Sequence, residues 1–174
     1  MARSTDSFFI RATTDINNDN KYQESTIDLG AYVDALGKSV LRIHRIVVTM
    51  SDSTGRTSEV SSEAAAQFQL LTQSQAADIG SATGGIVLPS NRFVVASGRL
   101  ICDGAGGVPT YVSQDFDNLP QEWTNGYLVG VDSLYLGGCA STGFDGDVYC
   151  SCIMECTVET LTQAAAMALA LSQQ

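Results

Sequence analysis

Short runs rich in β-branched and aromatic residues, cut apart by clusters of Asn, Asp, Ser and Gly, constrain this chain more than any other feature. β-branched side chains pack well on a pleated surface, Asn and Asp bond back to their own backbone in turns, and Gly accepts positive φ. Strands are therefore expected at Ser7 to Thr13, Tyr22 to Leu29, Ser39 to Met50, Ala64 to Thr72, Arg92 to Cys102, Gly126 to Gly137 and Asp147 to Thr157. Turn signals separate them at Asp15 to Asn20, Ser51 to Gly55, Gly80 to Gly85, Asp103 to Gly107 and Gly143 to Gly146, while Gly30 to Gly37 reads as a helical turn or a crossing between strands. With few helical patterns between the runs, the fold class is all-β, an antiparallel β-sandwich or barrel rather than repeated βαβ units. At 174 residues and 44% hydrophobic, residues 1–174 suit one domain with a real core.

The end of the chain changes character. Thr160 and Gln163 match a capping box, and Ala164 to Leu171 is a strong helix former that lacks a polar face. So short a helix is marginal in water and must be buried, either against its own sandwich or against another subunit. Residues 160–174 are thus a helix and tail that could clasp a neighbour, with Met167, Leu169 and Leu171 as candidate contacts between subunits.

Charge narrows the function. Net charge is −10, all nine basic residues lie at or before Arg99, and Asp103, Asp115, Asp117, Glu122, Asp132, Asp145, Asp147, Glu155 and Glu159 follow with no cation among them. Such a surface is repelled by phosphate backbones, and no basic arm precedes Phe8, so direct nucleic-acid binding is not expected. The acidic half serves solubility, or steers assembly against the near-neutral half of a neighbour. Nothing at the N-terminus reads as a signal peptide, and no apolar stretch is long enough for a transmembrane segment, so a soluble chain is expected.

Chemistry-bearing motifs are sparse. His44 is the one histidine and sits within an apolar strand, which suits a structural role better than a catalytic base. The Gly80 to Gly85 stretch is not followed by Lys and a helix, so no phosphate loop is present, and no catalytic residue is assigned. The five cysteines cannot all pair with one another. Cys150, Cys152 and Cys156 share one parity with Met154 and Val158, as a core stripe would, while zinc lacks further ligands nearby. Cys139 and Cys150 flank the loop from Ala140 to Tyr149 and are a candidate disulfide across a hairpin, and Cys102 has no evident partner. Calcium is the one candidate cofactor. Asp15, Asn17 and Asp19 alternate as hard oxygen donors, and Asp145 with Asp147 could join them in a loose site shared between subunits. An EF-hand is excluded, because Asn20 and Thr26 stand where its Gly and bidentate Glu belong, and turn chemistry explains the same residues more simply.

A single jelly roll is one sandwich that fits this spacing. Trp123 to Gly137, Leu41 to Met50, the Cys-rich last strand and the terminal Thr-Gln-Ala-Ala-Ala-Met-Ala-Leu-Ala-Leu-Ser-Gln-Gln resemble the strands and tail of single jelly-roll capsid (coat) proteins of small icosahedral viruses. The resemblance covers about half of the chain and rests on structural patterns. It implies a non-enzymatic subunit that self-assembles from many copies into a viral capsid, in the virion, with a second capsid protein as a further candidate partner. Met1 to Asp6 departs from the basic arms of many coat proteins, so the subunit would face outward or line a membrane or another protein layer. The alternative is a carbohydrate- or receptor-binding β-sandwich, as in an adhesin or fibre head, with Tyr111, Phe116, Trp123 and Tyr127 as an aromatic platform.

Overall fold

The computed structural model describes residues 6–34, 38–75, 86–104, 110–113 and 121–174. In chain order they form β1 (Phe8–Asp15), β2 (Gln23–Asp28), β3 (Ser39–Ser51), β4 (Ala64–Leu71), β5 (Val94–Asp103), β6 (Thr110–Ser113), β7 (Gln121–Val129), β8 (Ser133–Ala140), β9 (Tyr149–Thr160) and α1 (Gln163–Ser172). Two antiparallel sheets result, one in the order β1-β9-β3-β7 and one in the order β2-β8-β4-β5-β6.

Register explains the order. Ala64 faces Cys102, Leu41 faces Val129, Gln23 faces Gly138 and Phe8 faces Cys156, so each pairing encloses the one before it. The chain is in effect one long hairpin that turns back between β4 and β5 and coils on itself. The β3–β9 and β4–β8 pairings lock the coil. This is the jelly roll, and β6 is an added edge strand beyond it that the turn spacing did not predict.

The run Gly126 to Gly137, expected as one strand, is two. Its chain leaves one sheet at Val129 and enters the other at Ser133, with Gly130, Val131 and Asp132 making the corner. The Asp132 carbonyl accepts from the Leu29 amide at 2.7 Å, which anchors that corner to the β2–β3 connection. The helical-turn expectation at Gly30 to Gly37 is met only by a turn at the start of the stretch, and residues 35–37 lie outside the described ones, as do residues 80–85 and 105–107 of the expected glycine turns.

The core lies between the sheets. From β9 come Cys150, Cys152, Met154 and Cys156, all buried, and Val158 packs against the same cluster, so the expected stripe of one parity is present. From β3 come Leu41, Ile43 and Ile46, with Val48 and Met50 packed on the same core. Parity in β3 shifts after Ile43 because a β-bulge intervenes: Ile43 faces Cys156, Arg45 faces Glu155, and His44 is the extra residue. The bulge lets an otherwise unbroken apolar run keep one face in the core. From the opposite sheet, Phe68, Leu70, Leu134 and Leu136 are fully buried.

Close approach of strands requires glycine at two points of β8. A Cβ on Gly138 would stand 2.1 Å from the Gln67 carbonyl oxygen, and one on Gly137 would stand 2.3 Å from the Tyr22 hydroxyl. Gly146, in the turn before β9, has nothing within 4 Å of such a Cβ. Gly138→Ala is expected to cost about 1–3 kcal/mol, read as a lower midpoint in urea, because backbone has to move; Gly146→Ala is expected to be close to neutral.

Candidate functional site

The β1-β9-β3-β7 sheet carries a short polar cluster centred on the bulge of β3. His44 Nε2 and Thr157 Oγ1 share a hydrogen bond of 2.9 Å, so the bulged histidine is tied to the neighbouring strand. Beside it Arg42 grips Glu159 with both nitrogens of its fork, Nε to Oε1 at 2.5 Å and Nη2 to Oε2 at 2.8 Å, and Nη1 donates to the Asn125 carbonyl. One guanidinium thus joins β3, β9 and β7. Gly126, at φ 71°, makes room for it, since a Cβ there would stand 2.7 Å from Arg42 Cγ. The hydrogen bond from Arg42 holds the Glu159 carboxyl below its ordinary pKa.

The two loops expected to offer calcium donors do meet. Ile16 N donates to Val148 O at 2.9 Å, Val148 N to Asn17 O at 3.2 Å, and Asn18 Nδ2 to Phe144 O at 3.1 Å. The carboxylates of the first loop are engaged as turn caps. Asp15 Oδ1 accepts from Asn17 N at 2.9 Å, and Asp19 Oδ1 accepts from Lys21 N at 3.1 Å. Asn17 and Asn20 hold positive φ, the conformation such turns demand. Asp145 and Asp147 sit in the facing loop, where Asp145 N donates to Glu59 O at 3.0 Å. Among the described residues, no three His, Cys, Asp or Glu side chains come together as a metal would require.

All five cysteines are buried free thiols. The disulfide expected between Cys139 and Cys150 does not form, because β8 and β9 are not a hairpin: Cys139 faces Gln67 in one sheet, and Cys150 faces Thr14 and Met50 in the other. Burial pushes the Cys102 thiol up to about 11 and the Cys152 and Cys156 thiols up to about 12, which makes them poor nucleophiles and metal ligands. Of the candidate aromatic platform, the described residues Trp123 and Tyr127 stand side by side. Trp123 lies in β7 rather than in a loop, and it and Tyr127 pack against the core with ring centroids 5.7 Å apart. The Tyr111 side chain and Phe116 lie outside the described residues.

What the fold does present is two contrasting lateral edges. The C-terminal end of β7 is covered by α1. Thr162, and not Thr160, is the N-cap: Thr162 Oγ1 accepts from Ala165 N at 3.3 Å, while Thr160 is still paired with Ser39 at the end of β9. α1 turns Ala166 and Ala170 inward, and small side chains let it lie close over Gly130. At its C-terminal end Gln173, 5% exposed, accepts from Gly130 N at 2.8 Å and donates to Leu128 O at 2.8 Å. Leu169 packs over Gly130, but Met167 is 43% exposed and Leu171 69%. Burial of a Leu or Met side chain is worth about 1.5–3 kcal/mol, so the helix docks through its weaker face and leaves most of its apolar gain unrealised.

At the opposite edge, β1 and β2 stand side by side, and their sheets part. Thr14 Oγ1 bonds to Ser25 Oγ and donates to Leu136 O at 3.1 Å, which closes the gap at one end. Toward the other end a groove of about 550 Å³ opens between Phe9, Ala12, Ile27 and Tyr32, within the size range of pockets that bury a drug-sized ligand. Phe9 is 53% exposed.

No protein-family model matches this sequence, and no curated protein does. Solved structures do. The unassembled VP1 pentamer of KI polyomavirus superposes with a TM-score of 0.51 over 90% of this chain and 95% of that one, at 7% sequence identity. The likeness is one of fold. Merkel cell polyomavirus VP1 in complex with disialyllactose follows at a TM-score of 0.46 and 8% identity, covering 88% of this chain and 96% of that one. Trichodysplasia spinulosa-associated polyomavirus VP1, in complex with sialylated glycooligomers, gives 0.43 and 10% identity over 89% and 95%. With the strand order, the first of these identifies the architecture as the single jelly roll found among viral coat proteins.

Sequence patterning missed Gln173, Gly130, and the Arg42–Glu159 pair. Only the absence of a basic residue between Arg99 and Glu159 hinted that this acid would need a cation from far upstream. Two outcomes are expected. Gln173→Ala or Gly130→Val releases α1, seen as faster amide exchange over Gln163–Ser172 with β3 and β9 still protected, because the first leaves Gly130 N unpaired and the second overfills the contact. Glu159→Gln lowers stability at pH 7 by about 1 kcal/mol, the scale of a half-buried pair. Because the folded pKa of Glu159 is depressed, the wild-type advantage is full above the ordinary value of about 4.3 and disappears as pH falls through the folded value; urea titrations at pH 7 and pH 3 measure the difference.

Proposed function

We propose that this chain is a structural subunit that assembles with many copies of itself into a viral capsid enclosing a genome, and that it acts without catalysis. The observation that carries this reading is the nested jelly roll, which aligns over 90% of its length with the VP1 pentamer of KI polyomavirus. Jelly rolls serve capsids because a closed two-sheet block has stiff sides and loop-rich ends that tile. The chemistry of the surface agrees with that use. Its nucleophilic thiols are buried, its one histidine bonds to a threonine, and Phe9, Met167 and Leu171 leave apolar surface exposed at its two edges.

Net charge then sets the conditions of assembly. Each copy carries −10, so copies repel at long range, and contacts form where charge is sparse. Salt screens that repulsion, with a Debye length of about 10 Å at 0.1 M and about 3 Å at 1 M. The same charge opposes contact with phosphate, so the genome is enclosed rather than gripped. Light scattering and negative-stain microscopy of the full chain, across 0.1–1 M NaCl, are expected to show uniform rings or shells whose yield rises with salt. A monomer throughout that range would overturn the reading.

A further inference from the structure

We propose that neighbouring copies join head to tail, with the exposed Met167–Leu171 ridge of α1 in one copy seated in the β1–β2 groove of the next; this rests on the self-assembly reading above. The strand order β1-β9-β3-β7 is the first support. It places α1 on the β7 edge and the groove on the β1 edge, the two opposite sides of one sheet. A subunit cannot bring its own ridge to its own groove, and a second copy can. Two different surfaces on one chain make a heterologous contact, which propagates in one direction and closes into a ring when the rotation permits.

Surface chemistry is the second support. α1 carries no acidic residue in its first turn and no basic one in its last, and Met167 and Leu171 are among the most exposed large apolar side chains in the chain. The groove is mixed in character: Phe9, Ile27 and Tyr32 offer apolar surface beside serine and threonine hydroxyls, and Arg11 and Asp28 give one charge of each sign. Between copies that each carry −10, this pairing brings together two surfaces without net charge, so it adds no repulsion of its own. A helix laid in a groove through residues four apart is also an economical way to bury an apolar ridge.

The direction of the contact makes it testable. Leu171→Cys and Thr26→Cys are prepared as separate full-length variants, Thr26 being an exposed position that lines the groove. The native thiols are buried and stay silent. Under mild oxidation, each variant alone is expected to remain uncrosslinked, while an equimolar mixture yields a covalent dimer. In parallel, Met167→Glu with Leu171→Glu is expected to abolish every species above monomer mass, with an unchanged thermal melt by circular dichroism, since both positions are exposed. Self-crosslinking of the Leu171→Cys variant would mean a helix-to-helix contact and would overturn the proposal. So would full-size oligomers from the double Glu variant, or an oligomer in which the mixture does not crosslink; these leave capsid assembly standing and remove only this contact. A wild-type chain that stays monomeric removes both.

Discussion

The antiparallel pairing of β3 with β9 is the contact on which the rest of the molecule depends. It runs from Ser39↔Thr160 to Ser51↔Tyr149 and joins the two arms of the folded hairpin at the centre of their sheet. Without it β1 would have only β9, and β7 would have only β3, as two separate ribbons. Its inner face is built from unequal side chains. Three cysteines and Met154 on β9 lie beside Leu41, Ile43 and Ile46 on β3, so small and large residues together form the face that packs against Phe68, Leu70, Leu134 and Leu136 of the other sheet. The bulge at His44 keeps that face continuous, and the same bulge delivers His44 to Thr157 on the outside. One irregularity therefore serves both sides of the sheet.

Two buried glutamines act as substitutes for strand backbone at places the roll cannot pair. Gln69, 1% exposed, donates through Nε2 to the Val87 carbonyl and accepts from Val87 N at 2.9 Å. This exchange of both bonds matches a ladder pair and fixes the chain at Val87 over the outer face of β4, where Tyr22 and Leu71 complete a second small core. Gln173 does the same for Leu128 and Gly130 at the β7 edge. An amide side chain offers a donor and an acceptor in peptide geometry, which is why glutamine fills both posts. Burying either one without those partners would cost more than the two hydrogen bonds return.

Period-two patterning made the fold class and most strands legible, because alternation is local and directly reports which side of a strand is buried. The stripe Cys150, Cys152, Met154, Cys156 shows this most clearly, since a shared parity was enough to assign it to the core. Sequence adjacency was misleading where the chain changes sheets. Tyr127 to Leu136 reads as one apolar run, yet Gly130 to Asp132 turns it through a corner, and apolar content alone does not distinguish a long strand from two buried ones. The supposed Cys139–Cys150 bridge failed for the same reason, as proximity along the chain was taken for a hairpin. Thr160 had the right spacing for a cap, but β9 holds it through its pairing with Ser39, and Thr162 takes the role. Gln173 and Arg42 depend on partners about forty-five and more than eighty positions distant, which no local pattern carries.

Edge strands are the feature that such a roll must manage, since each presents unpaired backbone to any passing chain. This molecule treats its edges unequally. At the C-terminal end of β7, Gln173 satisfies Leu128 O and Gly130 N within one copy. β6 is kept to four residues, Thr110–Ser113, which limits the ladder it could offer. The β1 and β2 edges have neither device: they stand parallel to the groove, with Thr14 and Ser25 bridging one end and Phe9 and Tyr32 at the other. A helix docked at the end of one edge and an open groove at the other give the subunit a direction. In the head-to-tail contact proposed above, asymmetry between the edges would let association extend, and the charge of −10 would restrain it until screening or concentration tips the balance.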